Sequence, residues 1–159
     1  QSKDLPKGVS FPFKRSNLQQ QKDLTKPIKL DLGSEVGWYV DLGSLGSGPG
    51  WRVISDSTSF QGIVAFPAMA PKSDSACEPS GNSRIYAIDL GTGETVLKDK
   101  LAFNADLTGV VTDLRFYSVN GKARLLAGTD TAGVGSVRGN FNAPRGLVKR
   151  GWRQVQLSN

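Results

Sequence analysis

Short apolar and β-branched runs recur along most of the chain, and Gly, Asn, Asp or Pro residues separate them. Such runs are typical of β-strands. No segment carries a sustained helical period of apolar positions, so helix is expected to be scarce. The pattern therefore predicts an all-β fold built from antiparallel sheets. The predicted strands are 36–42, 51–57, 60–69, 84–90, 114–119, 123–129, 135–141 and 150–157.

The predicted strand 84–90 has apolar residues on both faces. Ile85 and Ala87 share one face, whereas Tyr86 and Ile88 share the other.

Turn signals set the ends of other strands. Residues 119–122 read VNGK, and an Asn-Gly pair between apolar runs predicts a two-residue hairpin turn. Pro67 is expected to end the strand 60–69, because proline cannot donate to a sheet. The glycine-rich stretch 43–50 predicts a hairpin loop rather than a phosphate loop, since it lacks the lysine and a following helix.

Two strand–turn–strand segments favour propeller blades over a sandwich or a barrel, although all three architectures fit the strand pattern. IYAIDLGTGE (85–94) resembles the turn of quinoprotein-type propeller repeats, and RLLAGTDTAGVGSV (124–137) repeats its logic. Their separation is about the 40 residues of one blade. A chain of 159 residues is too short for a seven-bladed ring. We therefore expect the terminal part of a quinoprotein-like β-propeller.

The formal net charge is +6, and the excess lies at the two ends. We expect residues 1–30 to form a basic, polar lead-in segment and 31–159 to form the propeller blades. The charged ends are either a solvated face or a contact surface for an acidic partner. Aromatic residues flank the basic residues at both ends. The candidate partner-binding residues are Lys14, Arg15, Lys149, Arg150 and Arg153.

The residues that commonly support enzyme chemistry are scarce. The chain has no histidine and one cysteine, Cys77, which removes the commonest general base and any Cys-rich zinc site. Asp89 and Glu94 flank a tight turn, where capping is the expected role. No apolar run reaches the roughly 18 residues of a membrane span. The sequence predicts no enzyme activity, catalytic residue, metal, cofactor, nucleic-acid partner or membrane span.

Each tryptophan begins a predicted strand. Trp38, Trp51 and Trp152 are therefore expected to pack in or between blades, since a large ring buries much apolar area. A surface cluster for a partner or a glycan is the alternative.

The order of several motifs resembles the C-terminal region of the PilY/PilC-type pilus-tip proteins. The motifs are GWYVDLGS (37–44), the run from GWRVIS to LGTGE (50–94) with one cysteine in its loop, and a final GWRQVQ (151–156). The likeness covers roughly residues 36–156. The family's Asp-rich calcium loop has no counterpart in this chain, so no calcium is expected.

The resemblance implies a secreted protein at the tip of type IV pili, extracellular or on the outer cell surface. Its implied partners are minor pilins, the remainder of the tip protein, and a host or abiotic surface. The implied roles are pilus assembly and adhesion. A secreted location permits disulfides, so Cys77 is expected to pair with another chain or with the upstream part, a free thiol being the alternative. A quinoprotein-like enzyme fragment and a structural β-domain without a partner remain alternative functions.

Overall fold

A computed structural model describes residues 5–6, 8–31, 33–44, 50–72, 80–104 and 107–142. Within these ranges the chain forms strands and three single turns of 3-10 helix, with no α-helix. None of these helical turns has the length and apolar character needed to cross a membrane. The 3-10 turns are Arg15–Asn17, Leu42–Ser44 and Lys98–Lys100. The strands are β1 (Gln19–Gln21), β2 (Trp38–Val40), β3 (Thr58–Phe60), β4 (Ile63–Lys72), β5 (Ser80–Asp89), β6 (Leu107–Thr108), β7 (Val111–Val119), β8 (Lys122–Thr129) and β9 (Val134–Val137).

The two larger sheets are antiparallel, which confirms the all-β prediction. Strands β3–β4–β5–β6 form the central sheet, and strands β7–β8–β9 form the second sheet. Strands β1 and β2 form a parallel pair. In each antiparallel sheet the spatial order of the strands follows their order in the chain, as expected of hairpin-connected strands.

The predicted strand 60–69 is wrong in its outline, because a hairpin turn divides it. Gln61 and Gly62 both have positive φ, at 49° and 82°, and they join β3 to β4. Two successive positive φ angles are the geometry of a type I′ turn, which glycine adopts without strain. The signal was missed because glutamine is a weak turn marker and apolar residues flank it.

Pro67 does not end its strand, contrary to the expectation. It lies within β4 opposite Ile85 of β5. Phe60 and Ile63 close the preceding hairpin, so the odd-numbered residues of β4 direct their backbone groups toward the β3 side. Strand β3 ends opposite Ala65. The missing N–H of Pro67 therefore faces the side on which the neighbouring strand has already ended, and no ladder bond is lost.

The predicted strand 51–57 is also wrong. Its sheet pairing is a single bridge, in which the backbones of Arg52 and Met69 exchange two 2.8 Å hydrogen bonds. Val53 and Ile54 remain exposed, at 49% and 61%. Val53 and Ile54 thus have no sheet face to bury against.

Both faces of β5 are buried, and its residues alternate between them as the sequence predicts. Ile85 and Ala87 belong to a core between the central and second sheets, whereas Tyr86 and Ile88 belong to a core on the opposite face. We call these the aliphatic face and the aromatic face. The aliphatic face also receives Val111, Leu114, Leu125, Ala127, Val137 and Phe141. The aromatic face also receives Leu24, Ala68 and the partly buried Trp38, Val40, Leu42, Trp51, Val64, Phe66, Ala102 and Phe103.

The Asn-Gly hairpin is confirmed between β7 and β8. Asn120 and Gly121 have φ of 51° and 73°, and Val119 pairs with Lys122 across the turn. Strand β9 occupies the first part of the predicted strand 135–141 and begins one residue earlier. The predicted strand 150–157 lies outside the described residues.

Part of the predicted lead-in segment joins the sheet structure. Strand β1 pairs with β2, although its sequence is QQQ and carries no apolar signal. Gln21 is fully buried, and its side-chain amide exchanges hydrogen bonds of 2.7 and 2.8 Å with the backbone of Ile28. Leu24 is fully buried on the aromatic face. The boundary expected at residue 30 stays a prediction.

Candidate functional site

Two of the five candidate partner-binding residues, Lys14 and Arg15, lie within the described residues, and their surroundings differ. Lys14 is exposed and lies beside Phe11 at a hollow of about 410 Å³. Arg15 forms an ion pair with Asp41, and its guanidinium lies 4.2 Å from the centroid of the Tyr39 ring. Arg15 therefore ties the first 3-10 turn to the end of β2. Asp41 therefore neutralises the charge of Arg15.

The amide of Gln20 also contacts Asp41, at 3.1 Å. Tyr39 and Asp41 raise the pKa of the Arg15 guanidinium, with the hydrogen bond to Tyr39 as the largest cause. Of the two candidate residues at the N-terminal end, Lys14 is therefore the one whose charge is not paired with an acid among the described residues.

Five of the predicted site residues lie outside the residues that the structure describes. These are Cys77, Lys149, Arg150, Trp152 and Arg153. The joint basic patch and the pairing of Cys77 therefore stay predictions.

Trp38 is partly buried over the Gly-Thr-Gly turn. Its indole N–H donates a 2.9 Å hydrogen bond to the carbonyl of Leu90. Gly93 has a φ of +74°, and a Cβ at that position would lie 3.3 Å from the Trp38 ring and 3.1 Å from Gln21. The glycine is needed both for its backbone angle and for the close approach of the ring.

Trp51 is partly buried at the edge of the aromatic face. The Arg84 guanidinium lies 4.1 Å from the Trp51 ring centroid and 3.9 Å from that of Phe103. A cation between two aromatic rings is a favourable arrangement. Trp51 thus has a packing role in this structure, and its alternative role in partner binding stays untested.

Asp89 caps the tight turn, as expected. Its Oδ1 accepts hydrogen bonds from the backbone N–H groups of Gly91 and Thr92, at 2.9 and 2.8 Å, and from the Thr92 hydroxyl. Glu94 pairs with Lys100 at 3.3 Å. These carboxylates serve the local structure.

A groove of about 760 Å³ lies beside β7, between that strand and the segment before β3. Asp113 and Arg115 form a 2.9 Å ion pair at its wall. Ser55 bridges the two sides by donating to the carbonyl of Val111 at 2.8 Å. The lining residues are Ile54, Ser55, Asp56, Ser57, Thr58, Val110, Thr112, Asp113, Leu114, Arg115 and Phe116.

Strand β7 is an edge strand of the second sheet, and this edge faces the groove. The hairpin register directs the backbone groups of Leu114, Phe116 and Ser118 toward that edge. The Leu114 N–H is capped by the carboxylate of Asp113, at 3.0 Å. An open edge of this kind suits the binding of an extended chain. Sequence reasoning missed this open edge, because edge exposure depends on tertiary pairing.

Metal-binding chemistry finds little support in the part of the chain that the structure describes. No three His, Cys, Asp or Glu side chains come together there. The absence of a bound cofactor stays a prediction.

Comparison with protein families, with characterised proteins and with solved structures finds no match for this chain in any of the three. The resemblance to the PilY/PilC-type proteins therefore rests on the motifs quoted above.

Proposed function

We propose that this chain is the C-terminal β-propeller portion of a pilus-tip protein of the PilY/PilC type. It supports type IV pilus assembly and surface adhesion by binding partners, and it is not an enzyme. The observation that carries the proposal is the stacking of two meandering antiparallel sheets within the segment that holds the family's motif order.

The connection between the two sheets supports the blade assignment. Strand β6 lies at the far edge of the central sheet. After two intervening residues, β7 begins as the first strand of the second sheet. Strand β7 contacts β3 and β4, at the near side of the central sheet. A passage from the outermost strand of one sheet to the first strand of the next is how propeller blades follow one another.

The buried serine at this passage fixes the two sheets together. Ser83 donates to the carbonyl of Gly109 at 2.8 Å and accepts from the N–H of Val111 at 3.1 Å. Its hydroxyl is thus satisfied without water, in a position that is fully buried. The contact holds successive sheets in one fixed relation, as stacked blades require.

The outward face of the second sheet supports the idea of a portion of a larger ring. Tyr117, Leu126 and Val134 lie on this face, and Val134 is 75% exposed. A further blade in the complete protein would cover such a face.

The basic ends supply the proposed contact to minor pilins. Lys14 and the C-terminal residues Lys149, Arg150 and Arg153 carry charge suited to steering an acidic partner. Arg15 contributes through the position of the first 3-10 turn, because its own charge is paired with Asp41. Cys77 is proposed to join this portion covalently to the rest of the tip protein.

The decisive experiment is deletion of this segment from the producing bacterium. Surface pili should disappear, and they should return when retraction is also disabled, because the proposed protein opposes retraction. Unchanged piliation and attachment would contradict the proposal and leave a structural β-domain without a partner.

A pulldown of minor pilins tests the contact surface. Binding should weaken as salt rises, and it should weaken further in the double variant Lys149→Glu, Arg150→Glu. The matched control reverses two exposed charges outside both basic ends, Arg52→Glu and Lys122→Glu, and should retain binding. Equal, salt-independent binding in all three proteins would mean that the basic ends are a solvated face.

A further inference from the structure

A second hollow, at the opposite end of the second sheet from its β8–β9 turn, collects basic side chains. Its volume is about 340 Å³. Four of its lining residues are cationic and come from three separate elements. They are Lys98 of the last 3-10 turn, Lys122 and Arg124 of β8, and Arg138 just after β9. We call this the basic pocket.

The backbone around the basic pocket is held by hydrogen bonds between two chain segments. The Lys98 N–H donates to the carbonyl of Arg138 at 3.0 Å, and the Asn140 N–H donates to that of Val96 at 2.8 Å. Gly139 forms a bridge with Leu97. Lys98 and Arg138 are therefore presented from adjacent, fixed backbones.

The charges in the basic pocket are poorly neutralised. Its described lining includes no acidic residue. The nearest pairing is between Lys98 and Asp99, at 3.9 Å, with both side chains largely exposed. The chain beyond Asn142 carries no Asp or Glu that could neutralise it.

Two of the cations lie next to the last residue pair of the β8–β9 ladder. Leu125 pairs with Val137, and Arg124 and Arg138 are each one residue from this pair and line the same cavity. Like charges that line one cavity repel each other. A bound anion would relieve this repulsion, so the two arginines favour anion binding in the basic pocket.

We propose that the basic pocket binds a phosphate or sulfate group carried on a saccharide. Two guanidinium groups match the geometry of a tetrahedral oxyanion, and the two lysines add charge. The basic pocket has about ten times the roughly 30 Å³ that one water molecule occupies, so it has room for a ligand larger than a bare ion. Ala123, which is partly exposed, and the aliphatic stems of the lysine and arginine side chains supply apolar contact for the sugar ring. This site does not depend on the pilus assignment.

Calorimetry with three probes tests the site at constant ionic strength: glucose 6-phosphate, inorganic phosphate and glucose. Glucose 6-phosphate should bind one to one and at least threefold more tightly than inorganic phosphate, and glucose should not bind. Absence of saturable binding by glucose 6-phosphate would overturn the proposal. Equal affinity for inorganic phosphate would overturn the assignment to a saccharide.

Matched variants locate the binding. The double variant Arg124→Gln, Arg138→Gln should weaken glucose 6-phosphate binding at least tenfold. A control with the same loss of charge, Lys22→Gln with Arg115→Gln, should stay within twofold of the wild type. An unchanged affinity in the first variant would overturn the proposal. If that variant does not fold, the single variant Lys122→Gln, at the exposed start of β8, replaces it. We expect Lys122→Gln to weaken glucose 6-phosphate binding about threefold. An unchanged affinity in this variant would overturn the proposal.

Discussion

The two faces of the central sheet are buried by different means. On the aliphatic face, small residues such as the opposed Ala65 and Ala87 let the second sheet approach as a regular layer. On the aromatic face, the rings of Phe66, Tyr86 and Phe103 are covered by the parallel pair, by Leu24 and by irregular segments. Large rings leave an uneven surface, and irregular chain fits it better than a flat sheet. Sheet stacking here follows residue size as well as hydrophobicity.

Deletion of side-chain volume on the aliphatic face should have the largest effect. Ile85 is fully buried between the two sheets, so Ile85→Ala leaves a cavity that two rigid layers cannot fill. We expect a loss of about 3 kcal/mol in the free energy of unfolding, measured by urea denaturation. Val119→Ala, at a position 42% exposed, is the control and should change little. A loss below about 1 kcal/mol at Ile85 would show that the sheets do not pack as described.

The cover of the aromatic face is tested by a pair of glycines. Gly93 and Gly121 have nearly equal φ, at +74° and +73°, but a Cβ would be crowded only at Gly93. The left-handed backbone alone costs an alanine about 1 kcal/mol. We therefore expect losses of about 2 kcal/mol for Gly93→Ala and about 1 kcal/mol for Gly121→Ala. Equal losses would mean that Trp38 and Gln21 do not press on the turn.

A polar atom within the aromatic face predicts a gain in stability. Tyr86 is fully buried, and its hydroxyl has no hydrogen-bond partner among the described residues. The ring stacks on Phe66 with 5.2 Å between centroids, and Tyr86→Phe retains this contact. Removal of an unsatisfied buried hydroxyl should raise the free energy of unfolding by about 1 kcal/mol. A decrease would reveal a partner for the hydroxyl, such as a buried water.

Strand-forming patterns were readable from the sequence where both partners lie close in the chain. The two faces of β5 follow from simple alternation, and the β7–β8 hairpin follows from Asn120–Gly121. The hairpin at Gln61–Gly62 was missed because an apolar run continues through it. Strand β1 was missed because its glutamines are selected by pairing with β2, which no local pattern encodes.

Candidate sites were harder to predict than strands. Arg15 was recognised as basic, but its pairing with Asp41 joins positions 26 residues apart. The basic pocket was missed for the same reason, because its four cations come from three separate segments that the fold brings together. Turn capping by Asp89 was predictable, since the carboxylate acts on the next few residues.

The smallest expected effect concerns the loop that carries Leu24 into the aromatic face. Asp23 accepts hydrogen bonds from the hydroxyl and the N–H of Thr25, at 2.6 and 2.8 Å. These bonds hold the pKa of Asp23 below its usual value of 3.8, and the bond from the Thr25 hydroxyl has the largest effect. A lowered pKa in the folded state stabilises the protein above the unfolded-state pKa, and this contribution is lost as the pH falls through the folded-state value.

Acidification from about pH 6 to pH 3 should therefore lower the unfolding midpoint slightly more in the wild type than in Asp23→Asn. Asparagine keeps an acceptor oxygen for Thr25 but does not titrate, so other carboxylates cancel in the comparison. Because Asp23 is fully exposed, the difference should be the smallest of the four effects. The carboxyl resonance of Asp23, followed by NMR, should titrate below 3.8. A midpoint at or above that value would mean that Thr25 does not hold the loop in this conformation.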